Sequence, residues 1–208
     1  MLWAFFRYAG WMTNDILDLQ TRIGEINESK GFHDLARAQA VGGPAPLYYI
    51  STKLLLVVDE LGEAYDELEL HEPEDIYEGD GGKPEGFVVE LADAAIRLLD
   101  LTSEAGVPLA EAYIKHPRLD VSAGSSGYDG TSTRTAEYLF VITKELTGAQ
   151  DARRAGLDPS SEEVTMHFLV ALYGIEQLAE WAGPNLYEVI ENKIGYNKTR
   201  PYKHGKAF

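Results

Sequence analysis

The run VVELADAAIRLLDL, residues 88–101, restricts the possible folds more than any other stretch of the chain. Wound at about 3.6 residues per turn, Glu90, Asp93, Arg97 and Glu104 fall in a polar wedge roughly 80° wide. Phe87, Leu91, Ala94 and Leu98 flank the wedge on one side, with Val89 and Ile96 on the other. A helix lying on a protein surface has a broader polar face than this. The pattern predicts a helix buried almost all round, whose wedge must meet other polar groups inside a bundle.

A second acidic run, LVVDELGEAYDELE, precedes it at residues 56–69. Here Glu60 and Glu63 lie about 60° apart, and Glu67 returns near Glu60 two turns on. The apolar arc of Leu54, Val57, Leu61, Ala64 and Leu68 begins about 40° from Glu60, and Leu56 falls between the two acids. These acids border the core rather than oppose it.

Two readings of the pairs are open. Charged residues make up 25% of the chain, enough to produce such pairs by chance on solvated faces, and Asp93–Arg97 has ion-pair spacing at i, i+4. Alternatively, the four carboxylates converge between antiparallel helices. There they would repel one another and be costly to desolvate unless a cation neutralised them. Hard oxygen donors in a chain without cysteine suit Mg²⁺ or Mn²⁺. A di-iron bundle would need Glu-x-x-His, which this sequence lacks.

The rest of the chain fits an all-α class. With 208 residues, 45% of them hydrophobic, it can bury a core of ordinary size. Helical spacing predicts helices at about 13–30, 50–70, 86–105, 108–115, 134–149, 161–182 and 185–199. VGGPAPL near Gly42, HEPEDIYEGDGGKPEG from His71 and SAGSSGYDGTST from Ser122 read as loops, the last as a flexible joint. DPSSEE marks a helix start capped by Ser160 or Ser161, and TRP ends the last helix at its proline. The opening MLWAFFRYAGWM is too short to span a bilayer and lacks the basic start of a signal peptide. Met12 is an alternative start. The expectation is a soluble, cytoplasmic protein.

The formal net charge of −16 argues against broad nucleic-acid binding. Yet residues 192–208 carry Lys193, Lys198, Arg200, Lys203 and Lys206 with no acid among them, which points to an anion site there. Lys193, Tyr196, Asn197 and Arg200, at i, i+3, i+4 and i+7, share one helix face. They offer a point charge, a ring, an amide and a two-pronged fork. Acids for a metal together with Lys and Arg for phosphate are what phosphoryl chemistry uses.

There is also an internal echo. Residues 54–66 align without gaps with 139–151, and residues 98–114 match 174–190 in pattern. Glu60 then meets Glu145 and Glu63 meets Gly148, and a one-residue shift in the second match sets Glu90 opposite His167 and Asp93 opposite Val170.

Glu60-x-x-Glu63 followed by Glu90-x-x-Asp93 resembles the MazG-like all-α nucleoside triphosphate pyrophosphohydrolases. INESKGFHD at residues 26–34 and KIGYNKTRPYKHGKAF at 193–208 strengthen the likeness. The resemblance implies a single all-α domain over 1–208, binding Mg²⁺ through Glu60, Glu63, Glu90 and Asp93. It implies hydrolysis of a nucleoside triphosphate to monophosphate and pyrophosphate, with Glu63 as the water-orienting or proton-accepting carboxylate. Lys193, Asn197 and Arg200 would hold phosphates, with Tyr196, Phe32 and His33 near the base or sugar. Small members of the family are dimers or tetramers. Here residues 115–183 are inserted, as a helical pair or degenerate second repeat, and either a homodimer or a monomer in which the insertion replaces a partner follows. The rival readings are a non-enzymatic nucleotide- or protein-binding module, or a related enzyme acting on phosphoribosyl-ATP or a deoxypyrimidine triphosphate.

Overall fold

The narrow wedge on residues 86–105 has the consequence its geometry demands. In the computed structural model, which describes residues 12–117 and 132–200, helix α4 (Phe87–Ala105) buries fourteen of its nineteen residues. It packs against α1 (Met12–Ser29), α3 (Ala45–Leu70), α7 (Glu162–Ala182) and α8 (Leu186–Thr199). Two short helices, α2 (Leu35–Val41) and α5 (Leu109–Lys115), and the long α6 (Ser132–Arg154) complete an all-α bundle among the described residues. One apolar core runs through it, from Ile16 and Ile23 of α1 through Leu91 and Leu98 of α4 to Ile142, Leu169 and Ile190. No helix among the described residues is long and apolar enough to cross a membrane.

The helix ends follow local chemistry. Ser161 caps α7 by accepting from Val164 N, as the DPSSEE signal predicts, with Glu162 and Glu163 in the first turn. Asn185 caps α8 by accepting from the amides of Tyr187 and Glu188. At the far end of α4, Gly106 turns left-handed (φ 70°), and Val107 N returns to Thr102 O.

Four expectations are corrected. Helix α3 starts at Ala45 rather than near 50, because proline fits a first helical turn and so the prolines of VGGPAPL open the helix. LARAQAV forms the unpredicted α2, a span too short for periodicity to register. The acidic loop contains a small antiparallel hairpin, β1 (Tyr77–Glu78) with β2 (Pro84–Glu85). Helix α6 runs on past 149 to Arg154. The Ser122 loop, Lys203, Lys206 and residues 1–11 lie outside the described residues.

Helices α6 and α7 pack on one another as α3 and α4 do, with α6 against α3 and α7 against α4. His167 Nδ1 lies 2.7 Å from Glu145 Oε2, so the echo's partners of Glu90 and Glu60 also face each other. Gly148, the counterpart of Glu63, leaves room for that imidazole: a Cβ there would run into the His167 ring. Where the first helical pair holds acids, the second holds a histidine–glutamate contact.

Candidate functional site

Helices α3 and α4 run antiparallel. Glu60 meets the start of α4, Lys53 meets Asp100, and Tyr49 meets Glu104. The α4 residues 90, 93, 97, 100 and 104 alternate steps of three and four, the spacing of an interhelical seam. On α3 the facing seam runs through Tyr49, Lys53, Leu56 and Glu60. Where a coiled coil would carry leucine, this seam carries charge.

At one end of the seam three carboxylates converge. Glu60, Glu90 and Asp93 each bring an oxygen within 4.8 Å of the others. Glu60 is 4% exposed and Glu90 1%. Glu63 does not join them: it stands exposed on the rim, facing a shallow groove of about 580 Å³ between α3 and α6. That groove is lined by Leu55, Leu139 and Phe140 with Asp59, Glu63 and Asp66, and by no basic side chain among the described residues. Partial burial and the charge of Glu60 raise the Glu63 pKa, so Glu63 is electrostatically coupled to the cluster without belonging to it.

Two of the converging acids have partners of their own. Arg97 bonds Glu60 across the helix interface, and Lys193 Nζ lies 2.6 Å from Asp93 Oδ2. The expected Asp93–Arg97 pair is thereby corrected. The i, i+4 spacing permits it, but Glu60 lies within reach across the seam and Asp93 is taken by a lysine from the other end of the chain. Lys193 is 1% exposed, so its charge depends on that carboxylate. Glu90 is less well provided. Lys83 Nζ is 3.5 Å from one of its oxygens, and Oε2 is buried with no hydrogen-bond partner. Burial, then the charge of Asp93, pushes the Glu90 carboxyl up to about 8, against the pull of Lys193 and Lys83. Asp93 is likewise raised by burial, with Lys193 opposing.

Beside the cluster lies a cavity of about 330 Å³ into which Asp93 projects. Among the described residues Lys30, Lys53, Lys83, Arg97, Lys193 and Arg200 line it, against Asp93 and Asp100 as acids. In a chain of net charge −16 this concentration of positive charge would suit an anion. Phe32, Tyr196, Asn27 and Asn197 complete the wall. Lys193, Tyr196, Asn197 and Arg200 therefore line one cavity together, with Phe32 among them. His33 does not line it. Its Nε2 lies 2.7 Å from Asp100 Oδ1, behind the wall, and this bond raises the histidine pKa. Burial works to raise Asp100, but the bond from His33 and the charge of Lys53, 3.2 Å from Oδ2, hold it below the usual carboxylate range. His33 thus positions Asp100 and Lys53 rather than facing a ligand.

The motif reading passed over Lys53, Asp100, Lys30 and Lys83. The first two were within reach, because extending the three-four seam two turns past Asp93 and two turns before Glu60 arrives at them. Lys30 closes the helix expected at 13–30 and Lys83 sits in the acidic loop, and only the chain path brings them to one cavity.

The donor set fits a hard divalent cation. Glu60, Glu90 and Asp93 supply carboxylate oxygen, and the orphaned Glu90 Oε2 is a buried acceptor that such an ion would satisfy. No family model, curated protein or solved structure matches the chain, so the chemistry of the site rests on this geometry.

Proposed function

We propose that the chain is a MazG-like, Mg²⁺- or Mn²⁺-dependent nucleoside triphosphate pyrophosphohydrolase, releasing pyrophosphate and a nucleoside monophosphate. One observation carries the reading. A buried three-carboxylate cluster with an unpartnered Glu90 oxygen stands against a cavity ringed by six cationic side chains. Acids alone would fit a structural cluster and cations alone any anion. Side by side they fit a metal–polyphosphate complex.

Glu60, Glu90 and Asp93 would hold the cation, whose contribution is to neutralise phosphate charge and polarise the phosphorus centre. Lys193 and Arg200 neutralise non-bridging oxygens, and Asn197 donates an amide hydrogen bond. Phe32 and Tyr196 offer aromatic faces for base or sugar. Glu63, on the rim and with a raised pKa, is the carboxylate left to orient a water and take its proton once its side chain turns from the α3–α6 groove toward the cluster. Burial of Glu60 and Glu90 keeps bulk water from screening the cluster.

A panel of ribo- and deoxyribonucleoside triphosphates, with phosphoribosyl-ATP, assayed with Mg²⁺ for pyrophosphate tests the reading. Release from at least one, abolished by chelator, is expected; release from none refutes it. A second reading has its own support, since Arg97 and Lys193 already neutralise Glu60 and Asp93. A metal-free nucleotide-binding module would bind nucleotide equally with chelator or Mg²⁺ and release nothing.

A further inference from the structure

Of the six cations around the cavity, Lys53, Arg97 and Lys193 lie within helices and Lys30 and Arg200 directly follow helix ends, but Lys83 arrives by a different route. It follows the turn Asp80–Gly82, whose Gly81 and Gly82 are left-handed (φ 72° and 75°), and enters strand β2. The turn is closed by Gly79 N donating to Lys83 O at 2.7 Å. The hairpin is fixed at both ends. Tyr77 donates its hydroxyl to Glu67 of α3 at 2.9 Å, and its ring lies against His71 with centroids 4.7 Å apart. Gly86 joins β2 to α4 at φ 129°, where any Cβ would collide with the carbonyl of Asp75. These constraints fix the backbone at Lys83, while its four-carbon side chain keeps its own rotations. Its ammonium stands 3.5 Å from Glu90 Oε1 and 3.1 Å from Glu85 Oε2, and its side chain lines the cavity.

Around the carboxylate cluster, Arg97 is held on α4 and Lys193 is buried on α8. Lys83 is on a loop with a third of its side chain exposed, so it can swing away from Glu90 without disturbing a helix. Glu90 is also the acid whose second oxygen lacks a partner, so its hold on Lys83 is one long contact. A divalent cation entering the cluster must take Glu90 from this ammonium. Once displaced, the ammonium is left beside the cavity with Glu85 and any anion bound there.

We propose that Lys83 is a two-position residue: counter-ion to Glu90 in the unloaded site, and a phosphate grip once a divalent cation has displaced it. This rests on the pyrophosphohydrolase reading and adds a residue and a coupling to it. Ion and polyphosphate then assist each other through one side chain, since the ion frees the lysine that the phosphate uses.

The test is calorimetric titration of the full chain with Mn²⁺ alone, then with inorganic tripolyphosphate at saturating Mn²⁺. Lys83→Met should bind Mn²⁺ several-fold more tightly than wild type, because its competitor is gone. It should bind tripolyphosphate about tenfold more weakly, the scale of one charge-assisted contact. Lys83→Arg should restore tripolyphosphate binding to within about threefold of wild type. Glu85→Gln removes the lysine's other partner and should weaken Mn²⁺ binding, a second variant on the same exposed hairpin. Unchanged or weaker Mn²⁺ binding in Lys83→Met overturns the proposal, as does unchanged tripolyphosphate binding. If Glu90→Gln abolishes Mn²⁺ binding while Lys83→Met is neutral, Lys83 alone is misassigned. If neither wild type nor Lys83→Met binds Mn²⁺, the metal reading falls with it.

Discussion

Glu90→Gln and Asp93→Asn remove one charge each from the same cluster, yet the structure gives them opposite effects on the metal-free protein. Glu90 is 1% exposed, its Oε2 has no partner, and its carboxyl is pushed up to about 8. A carboxyl with a folded pKa above its unfolded value adds stability below about pH 4.5 and loses it as pH rises through about 8. Against an unfolded value near 4.5, the ceiling of this cost at pH 8 is about 4 kcal/mol. Relaxation and water entry reduce it, and about 1–3 kcal/mol is expected. Glutamine keeps the shape and removes the charge. Glu90→Gln should therefore melt roughly 3–10 °C above wild type at pH 8 and within a few degrees of it at pH 5. Asp93→Asn instead strands the buried Lys193 ammonium and should cost about 3–5 kcal/mol. A divalent ion at a hundred times its dissociation constant adds about 2.7 kcal/mol to wild type, so Mg²⁺ should raise that melt by roughly 5–10 °C. Glu90→Gln should erase the Mg²⁺ shift. The assay is thermal melting at pH 5 and 8, with chelator and with millimolar Mg²⁺. A Glu90→Gln protein less stable than wild type at pH 8 refutes the electrostatic reasoning. An undiminished Mg²⁺ shift in that variant refutes the metal site.

Three further outcomes follow from particular contacts. Glu63→Gln, on the rim, should abolish pyrophosphate release while nucleotide binding survives in equilibrium titration; retention of more than about a tenth of the wild-type rate removes Glu63 from the chemistry. Arg200→Lys keeps the charge in the cavity but loses the fork, so KM should rise about tenfold in steady-state kinetics, and an unchanged KM would mean Arg200 acts only as diffuse charge. Away from the site, Glu176 accepts hydroxyls from Tyr113 and Tyr187, and burial pushes its carboxyl up to about 7. Its stabilising contribution is present below about pH 4.5 and fades as pH rises through about 7, so Glu176→Gln should gain about 1–2 kcal/mol on wild type between pH 5 and pH 8 in denaturant melts, allowing for partial exposure.

The sequence by itself determined the long helices to within a few residues, the class and the central place of residues 86–105. These depend on a repeat of about 3.6 residues that is written locally and read by burial. It also put Glu90 and Asp93 on an inward wedge and Glu60 at the edge of the core, because the angle between a polar residue and its own helix's apolar arc is a local quantity. The tertiary structure decided which charges meet. Lys193, a hundred residues on from Asp93, is buried against it, and Arg97 reaches across to Glu60 rather than along its own helix. Glu63, indistinguishable from Glu60 in the motif, is left on the rim. It lies one turn further along α3, on the exposed side of the seam, and only the register of α3 on α4 fixes that. Lys83 is decided by tertiary structure alone, since its position depends on two left-handed glycines, a tyrosine bonded to α3 and a glycine pinned under a carbonyl. Helical periodicity fixes angles around one axis. Ion pairs between axes depend on register, loop path and the contest among several cations for each buried carboxylate, and these are settled only when the whole chain has packed.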